Sequence, residues 1–406
     1  MIPFSPPRID DKICNEVVAA LKSGWITTGP RTKSFEKKIT QYCGNKATLC
    51  LNSATAGLEI MLRWYGVGEG DEVILPAYTY SATANVVIHC GATPVFVDVN
   101  AGDFNISVSE IEKAITAKTK VIMPVDFGGM PCDYKSINKL VGTVKNKFVA
   151  TNDVQKKLGR ILVLSDSAHS FGASADGHKT GSLCDVSVFS FHAVKNLSTA
   201  EGGAIALNFE ESVFNNEDIY KELCVKTLHG QNKDALAKTQ KGNWKYDIVE
   251  AGYKCNMTDI SAAMGLVELE RYDSDTLVKR KHIVDLYNSL LKTDERFQLP
   301  LFEEGGRKSC YHLYPLRIKG ITEEQRDEIM QEIFSRDVSV NVHFMPVPGM
   351  SFYRKMGYNV LDYKTTWDNF IREISLPVFY DLTDEQVHTV VRAVKESVDA
   401  ILLKHA

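Results

Sequence analysis

The chain has 406 residues, of which 44% are hydrophobic and 24% charged, with a formal net charge of −4. That length exceeds one small core and predicts two units, and the slightly acidic balance provides no basic field for nucleic acid or an anionic membrane. No apolar run approaches the ~20 residues of a membrane span, and "MIPFSPPRIDDK" carries acidic residues where a signal peptide has its apolar core.

From the N-terminus, "FEKKITQYCG" predicts a short amphipathic helix ended by Gly44, followed by the strand "ATLCL". "SATAGLEIMLRWYG" has helical spacing, and "GEGDEVILP" turns into a strand. "SATANVVIHCG" is helical again and "TPVFVDV" is a strand. "SVSEIEKAIT" predicts a capping box from Ser109 to Glu112 and leads to the strand "KVIMPVDF". "RILVLSDSAH" and "DVSVFSF" supply two further strands, the first ending at Asp166. Strand–helix alternation of this kind predicts a mostly parallel sheet with helices on both faces. The polar tract 141–160 predicts a partly helical surface insertion without an assigned role. From about Asp259 a long helical tract with a break near Tyr272–Ser274 leads into mixed strands and helices, which predicts a smaller α/β unit. The division is placed between a large domain, 1–265, and a small C-terminal domain, 266–406. Nine cysteines, odd in number and without a C-x-x-C pair, predict reduced thiols in a cytoplasmic protein and neither a disulfide frame nor a metal site.

Ligands of parallel α/β sheets sit beyond the carboxyl ends of the strands, and three candidates fall there. "LNSATAG" opens a helix after a strand, so the N–H groups of Ala54 and Thr55 could reach an anion, or Ser53 could simply cap the helix. Asp166 ends a strand, as a catalytic carboxylate or as a turn cap. Lys195 follows "DVSVFSF" in a hydroxyl-rich stretch, where a lone lysine is ordinarily solvated. The three together match what pyridoxal phosphate requires: a phosphate cradle, an anion for the ring nitrogen, and a lysine for the Schiff base.

The motifs "GWITTGP", "NSATAGLEI", "GDEVILPAYTYSATANVV", "GATPVFVDV", "SDSAHSFGA", "SVFSFHAVKNLSTAEGGAI", "GYKCNMTDISAAMGLVELE", "YHLYPLRI", "VHFMPV" and "ISLPVFYDLT" run in order through nearly the whole chain. In them the sequence resembles the DegT/StrS-type sugar-nucleotide aminotransferases, most closely the kinds that act on UDP-linked 4-keto sugars in 4-amino-4-deoxy-L-arabinose and pseudaminic acid synthesis. The resemblance implies a fold-type I pyridoxal 5'-phosphate enzyme, with a seven-stranded, mostly parallel sheet in its large domain and a smaller C-terminal α/β domain. It implies transfer of an amino group from an amino acid, L-glutamate most often, to a keto sugar nucleotide for cell-surface polysaccharide or lipopolysaccharide synthesis.

Residue roles follow from the same motifs. Lys195 is implied as the Schiff-base lysine and proton carrier, Asp166 as partner of the pyridinium nitrogen, and Tyr80 as the ring stacked on the cofactor. Ala54, Thr55 and Ser190 are implied at the phosphate, and His169 beside the 3-hydroxyl. "GYKCNM" is implied to cross a homodimer interface, with Lys254 where many relatives place an asparagine against the partner's phosphate. Thr28 and Gly29 are implied near the sugar, and His229 and His343 either border it or are packed histidines. Asp126 stands where many relatives carry histidine, and "SDSAH" replaces the commoner "EDAAQ". The family's dehydrating branch has histidine in place of the lysine, so Lys195 favours transamination over sugar dehydration or deoxygenation. A non-catalytic regulator usually carries a fused winged-helix segment, and here the pattern starts almost at Met1 without a basic extension.

Overall fold

The computed structural model describes residues 1–232 and 245–405. Seven strands form the main sheet: β1 (Ala47–Leu51), β2 (Glu72–Pro76), β3 (Thr93–Val97), β4 (Thr119–Ile122), β5 (Leu162–Asp166), β6 (Val186–Ser190) and β7 (Gly203–Leu207). Their order across the sheet is β1-β7-β6-β5-β4-β2-β3. The β6–β5, β5–β4, β4–β2 and β2–β3 pairs are parallel, and β7 alone runs against its neighbours β1 and β6. The sheet is therefore mostly parallel, as the alternation of elements predicts.

The strands are apolar at nearly every position because helices cover both faces. On one face, Leu58, Met61 and Leu62 of α3 (Ala54–Trp64) and Val86 and Val87 of α4 (Ser81–His89) pack on Leu49, Val73, Leu164 and Val188. On the other, Phe35 and Ile39 of α2 (Pro30–Cys43) pack on Cys50 and Phe189, with Ala262 and Leu269 of the helix Asp259–Glu270. A second core gathers residues from Ile283 to Ile401 around the antiparallel sheet β8 (Phe297–Gln298), β9 (Tyr314–Ile318) and β10 (Glu373–Leu376), and Ile2 joins it from the other end of the chain. We propose that the two units divide at residues 265 and 266. No described helix is long and apolar enough to cross a membrane, and all nine cysteines are free.

Two local readings change. The helix after β3 spans Val108–Ala114 and its N-cap is Ser107, so Ser109 lies inside the first turn and its hydroxyl meets that of Ser107 at 3.0 Å. Complete capping boxes occur instead at Thr322 with Gln325 and at Thr383 with Gln386. α2 starts at Pro30, five residues before the apolar periodicity, and ends at Gly44 in the left-handed region that a glycine adopts without strain. The tract 141–160 is partly helical and largely exposed, as the sequence predicts, and is anchored by Gln155, which is fully buried and donates to the Tyr65 carbonyl at 3.0 Å.

Candidate active site

A cavity of about 380 Å³ opens at the carboxyl ends of the parallel strands. Ala54, Thr55, Tyr80, Asp166, His169, Ser190, Lys195 and His343 all line it. Eight of the twelve residues expected from sequence thus meet around one space.

The cradle comes from backbone packing. Ser53 caps α3, its hydroxyl accepting the Ala56 N–H at 3.1 Å. The N–H groups of Ala54 and Thr55 belong to the first turn, have no intrahelical acceptor, and carry the positive end of the helix dipole. Gly203, paired with both Leu51 and Ser190, lets the helix start lie directly on β7. A Cβ there would sit 2.4 Å from the Ala54 nitrogen and 2.5 Å from the Ser53 carbonyl carbon. The absence of that methyl brings the Ser190 hydroxyl to the same corner as the α3 N-terminus.

Asp166 ends β5 and is 6% exposed. Its Oδ2 accepts the Thr83 hydroxyl at 2.8 Å and its Oδ1 the Ala168 N–H at 3.2 Å. Burial pushes this carboxyl up, while the two hydrogen bonds and the Lys195 charge pull against burial. Each oxygen keeps acceptor capacity for a further N–H. Asp126 is fully buried and does not line the cavity. It accepts the hydroxyls of Ser170 at 2.6 Å, Tyr134 at 2.7 Å and Ser167 at 3.1 Å and the Cys132 N–H at 2.8 Å. Its role is to hold the turn after β5 that carries His169.

His169 accepts the Gly128 N–H on Nδ1 at 3.3 Å, so its proton sits on Nε2 when the ring is neutral. Burial drives its pKa far down, and the Lys195 charge adds to the effect. Lys195 lies five residues beyond Ser190. Burial lowers its amine from 10.5 to about 8, with Asp166 pulling the other way. The next residue anchors the loop: Asn196 donates to the Cys310 carbonyl at 2.8 Å and its Oδ1 is 2.9 Å from Nδ1 of His312. Because the amide nitrogen is already donating, His312 is the donor in that pair. Tyr80, 59% exposed, stands at the rim with its ring 5.7 Å from Phe344, leaving an aromatic face open.

Sequence reasoning missed Phe4, Ser5, His192, Glu201, His312 and Phe344, which also line the wall. His312 was visible within "YHLYPLRI", but Phe4 and Ser5 reach the cavity only because Ile2 is tied to Val338.

Thr28, Gly29, His229 and Lys254 do not line this cavity. They form a second cluster. The Thr28 hydroxyl donates to the Met257 carbonyl and accepts the Asn256 amide, each at 2.6 Å. The Gly29 N–H donates to Asp259 at 2.8 Å, and Lys254 contacts Asn256. The His229 N–H donates to the Tyr253 carbonyl at 2.7 Å. Gly230 and Gly252 allow these strands of chain to touch, since a Cβ at Gly252 would lie 2.2 Å from the Gly230 nitrogen.

A half-buried lysine of lowered pKa, a strand-end carboxylate and a helix N-terminus opened by glycine fit pyridoxal 5'-phosphate, and together with the sheet they define a fold-type I pyridoxal phosphate-dependent aminotransferase. The chain belongs to the DegT/DnrJ/EryC1/StrS aminotransferase family, whose pattern matches residues 7–395. It is similar to a structure named as sugar aminotransferase Spr1654 from Streptococcus pneumoniae in its PMP form, with 45% identity, a TM-score of 0.95, and coverage of 99% of this chain and 100% of that one. The PLP form of the same protein matches at 43% identity and a TM-score of 0.93, over 98% of this chain and 99% of that one. Helicobacter pylori PseC, named as an aminotransferase of pseudoaminic acid biosynthesis, matches at 27% identity and a TM-score of 0.86, over 98% and 99% of the two chains. The spore coat polysaccharide biosynthesis protein SpsC of Bacillus subtilis is 34% identical over 403 residues, 98% of this chain and 97% of that protein.

Proposed function

We propose that this aminotransferase moves the amino group of L-glutamate to a UDP-linked 4-keto sugar, in the cytoplasm, for cell-surface polysaccharide or lipopolysaccharide synthesis. The observation that carries the amino-transfer reading is Lys195, set in the cavity beside Asp166 with its amine brought to about pH 8 by burial.

The cofactor supplies an electron sink for the carbon that bears the amino group. Ala54, Thr55 and Ser190 would hold its phosphate, Asp166 its ring nitrogen, Tyr80 its ring face, and His169 its 3-hydroxyl through the Nε2 proton. Lys195 would carry the covalent link and then serve as the acid and base. A lysine of ordinary pKa is almost wholly charged at neutral pH, whereas one near 8 has a useful fraction of free amine to take a proton from the substrate carbon. The same Nζ would then return that proton two atoms along, a 1,3-shift, so one residue would serve both directions of the transfer. Phe4, Phe344, His169, His312 and His343 wall it off from bulk water.

Among the described residues lining the cavity, Lys195 is the one lysine or arginine, too few cations for a phosphate and two carboxylates. That supports a homodimer in which Lys254, with Thr28, Gly29 and His229, completes the site of the second chain, and His343 borders the sugar from within the same chain.

The test is a mass-resolved screen of 4-keto and 3-keto nucleotide sugars with glutamate as donor. Formation of the amino sugar with stoichiometric 2-oxoglutarate supports the reading. Turnover of a sugar without 2-oxoglutarate would mean dehydration, which consumes no amino group overall.

A further inference from the structure

The cavity wall is backed by a carboxylate that amino transfer leaves unused. Glu373 opens β10 and is fully buried. Its Oε1 accepts the Ser375 hydroxyl at 2.5 Å and its Oε2 accepts the His343 backbone N–H at 3.0 Å. The Ser375 oxygen lies 2.9 Å from Nδ1 of His343, whose ring lines the cavity and stacks on Phe4 at 5.4 Å.

Ser375 has one proton to give. With Glu373 ionised, that proton points to Oε1, Nδ1 of His343 must be the donor to Oγ, and Nε2 is left as an acceptor. With Oε1 protonated, both donations reverse: Oε1–H goes to Oγ, Oγ–H goes to Nδ1, and the ring proton sits on Nε2. We propose that Glu373 and Ser375 are a positioning relay that sets which nitrogen of His343 carries the proton, and thereby whether this wall accepts or donates a hydrogen bond.

For substrate choice the inference rests on the amino-transfer reading. An accepting Nε2 suits a sugar hydroxyl and opposes a carboxylate, whereas an Nε2–H suits the carboxylate of the amino donor. Two substrates of opposite hydrogen-bond character visit one cavity in turn, and the relay biases it between them.

The surrounding charges bracket the state of Glu373. Burial raises its carboxyl from 4.5 to about 8, against the Ser375 and His343 hydrogen bonds and the positive charges of Arg326, on the helix Glu323–Ser335, and Arg317, on β9. Tyr78, on the loop after β2, is held neutral by burial and by Glu373 itself. His343 faces Lys195, His169 and His312, and burial followed by the Lys195 charge lowers it to about 3, so its ring stays neutral and only the site of its one proton changes.

The test uses the full chain without added substrate, ring-15N-labelled on histidine, with His343→Gln to assign the His343 signals. In Glu373→Gln the amide oxygen must accept the His343 N–H, because an NH2 there would oppose it, so the amide nitrogen donates to Ser375. At about pH 10, above the titration of Glu373, the wild type should carry the proton on Nδ1 and Glu373→Gln on Nε2. A shared tautomer would overturn the relay. Should Glu373→Gln not fold, the wild type between about pH 6 and pH 10 should switch tautomer while Ser375→Ala does not. A single wild-type tautomer across that range would overturn it equally. In turnover at about pH 9 to 10, where Glu373 is ionised in the wild type, Glu373→Gln should raise KM for the sugar by about five- to tenfold, the worth of one hydrogen bond, and lower KM for the amino donor. A parallel rise in both would refute the role in substrate choice. Failure of every sugar to react, with the tautomer shift intact, would refute the proposed function and leave the relay standing.

Discussion

Asp259 offers a sharp test of how this site is held, because its carboxylate caps a helix whose N-cap residue lies 230 residues earlier. It is fully buried and accepts the Gly29 N–H at 2.8 Å, the Arg31 N–H at 3.1 Å, the Thr32 N–H at 2.9 Å and the Thr32 hydroxyl at 2.7 Å. Gly29 has no side chain to cap α2, so a carboxylate from the helix Asp259–Glu270 satisfies the orphan donors and the helix dipole together. Asp259→Ala strands three buried donors and the partly buried Arg31 N–H. At about 1–3 kcal/mol for each buried orphan, less what an entering water recovers, the loss is about 3–5 kcal/mol. Hydrogen exchange of a peptide spanning residues 27–35 reads it directly. At 1.4 kcal/mol for each factor of ten, exchange at Gly29, Arg31 and Thr32 should rise about 10²- to 10³-fold, whereas Asp259→Asn, keeping one acceptor oxygen, should show about a tenth of that. Unchanged protection in Asp259→Ala would show that the helix start is stable without the carboxylate, and the capping argument would fail.

Lys195→Ala should abolish the visible absorbance that borohydride bleaches in the wild type; an unchanged spectrum would place the covalent link on another residue. Lys195 is held below its usual 10.5 in the folded chain, so the unfolded chain binds more protons between about pH 8 and 10.5 and apo stability should rise with pH through that window. The same burial penalty predicts that Lys195→Met stabilises the apo enzyme at neutral pH by about 1–2 kcal/mol in urea titrations, with the gain fading above about pH 10, and equal stabilisation at all pH values would exclude charge burial as its cause. Gly203→Ala places a methyl against the Ala54 nitrogen and should weaken cofactor affinity by at least about tenfold through displacement of the α3 N-terminus, measured by dialysis against pyridoxal phosphate. Wild-type affinity would mean that the cradle does not depend on that close approach.

The parallel sheet and the chemistry at its edge were legible because each rests on neighbours in sequence. β5 delivers Asp166 as its last residue, β6 delivers Ser190, and α3 begins three residues after β1. A strand end and the next turn specify such positions locally, so a linear reading reaches them. The Ser109 capping box failed for a local reason too. Both serines satisfy the composition rule, and only the backbone, already helical at Val108, decides that Ser107 is the cap.

What stayed hidden is the support behind those residues, which consists of pairs far apart in the chain. Asp259 meets Gly29, Asn196 meets His312 across 116 residues, and His343 meets Ser375 across 32. No periodicity encodes such pairs, because each partner alone reads as a polar residue in a loop or at a strand edge. They share a physical form: a buried polar group whose hydrogen-bonding capacity is met by a partner from a distant element, which fixes both position and proton placement. Asn196 leaves His312 with its proton on Nδ1, and Gly128 leaves His169 with its proton on Nε2. Two rings 4.4 Å apart thus present opposite hydrogen-bond character to one cavity. The long-range polar pairs therefore carry more than stability: they decide which way each group at the site points its proton, and the identity of the lysine alone could never have told that.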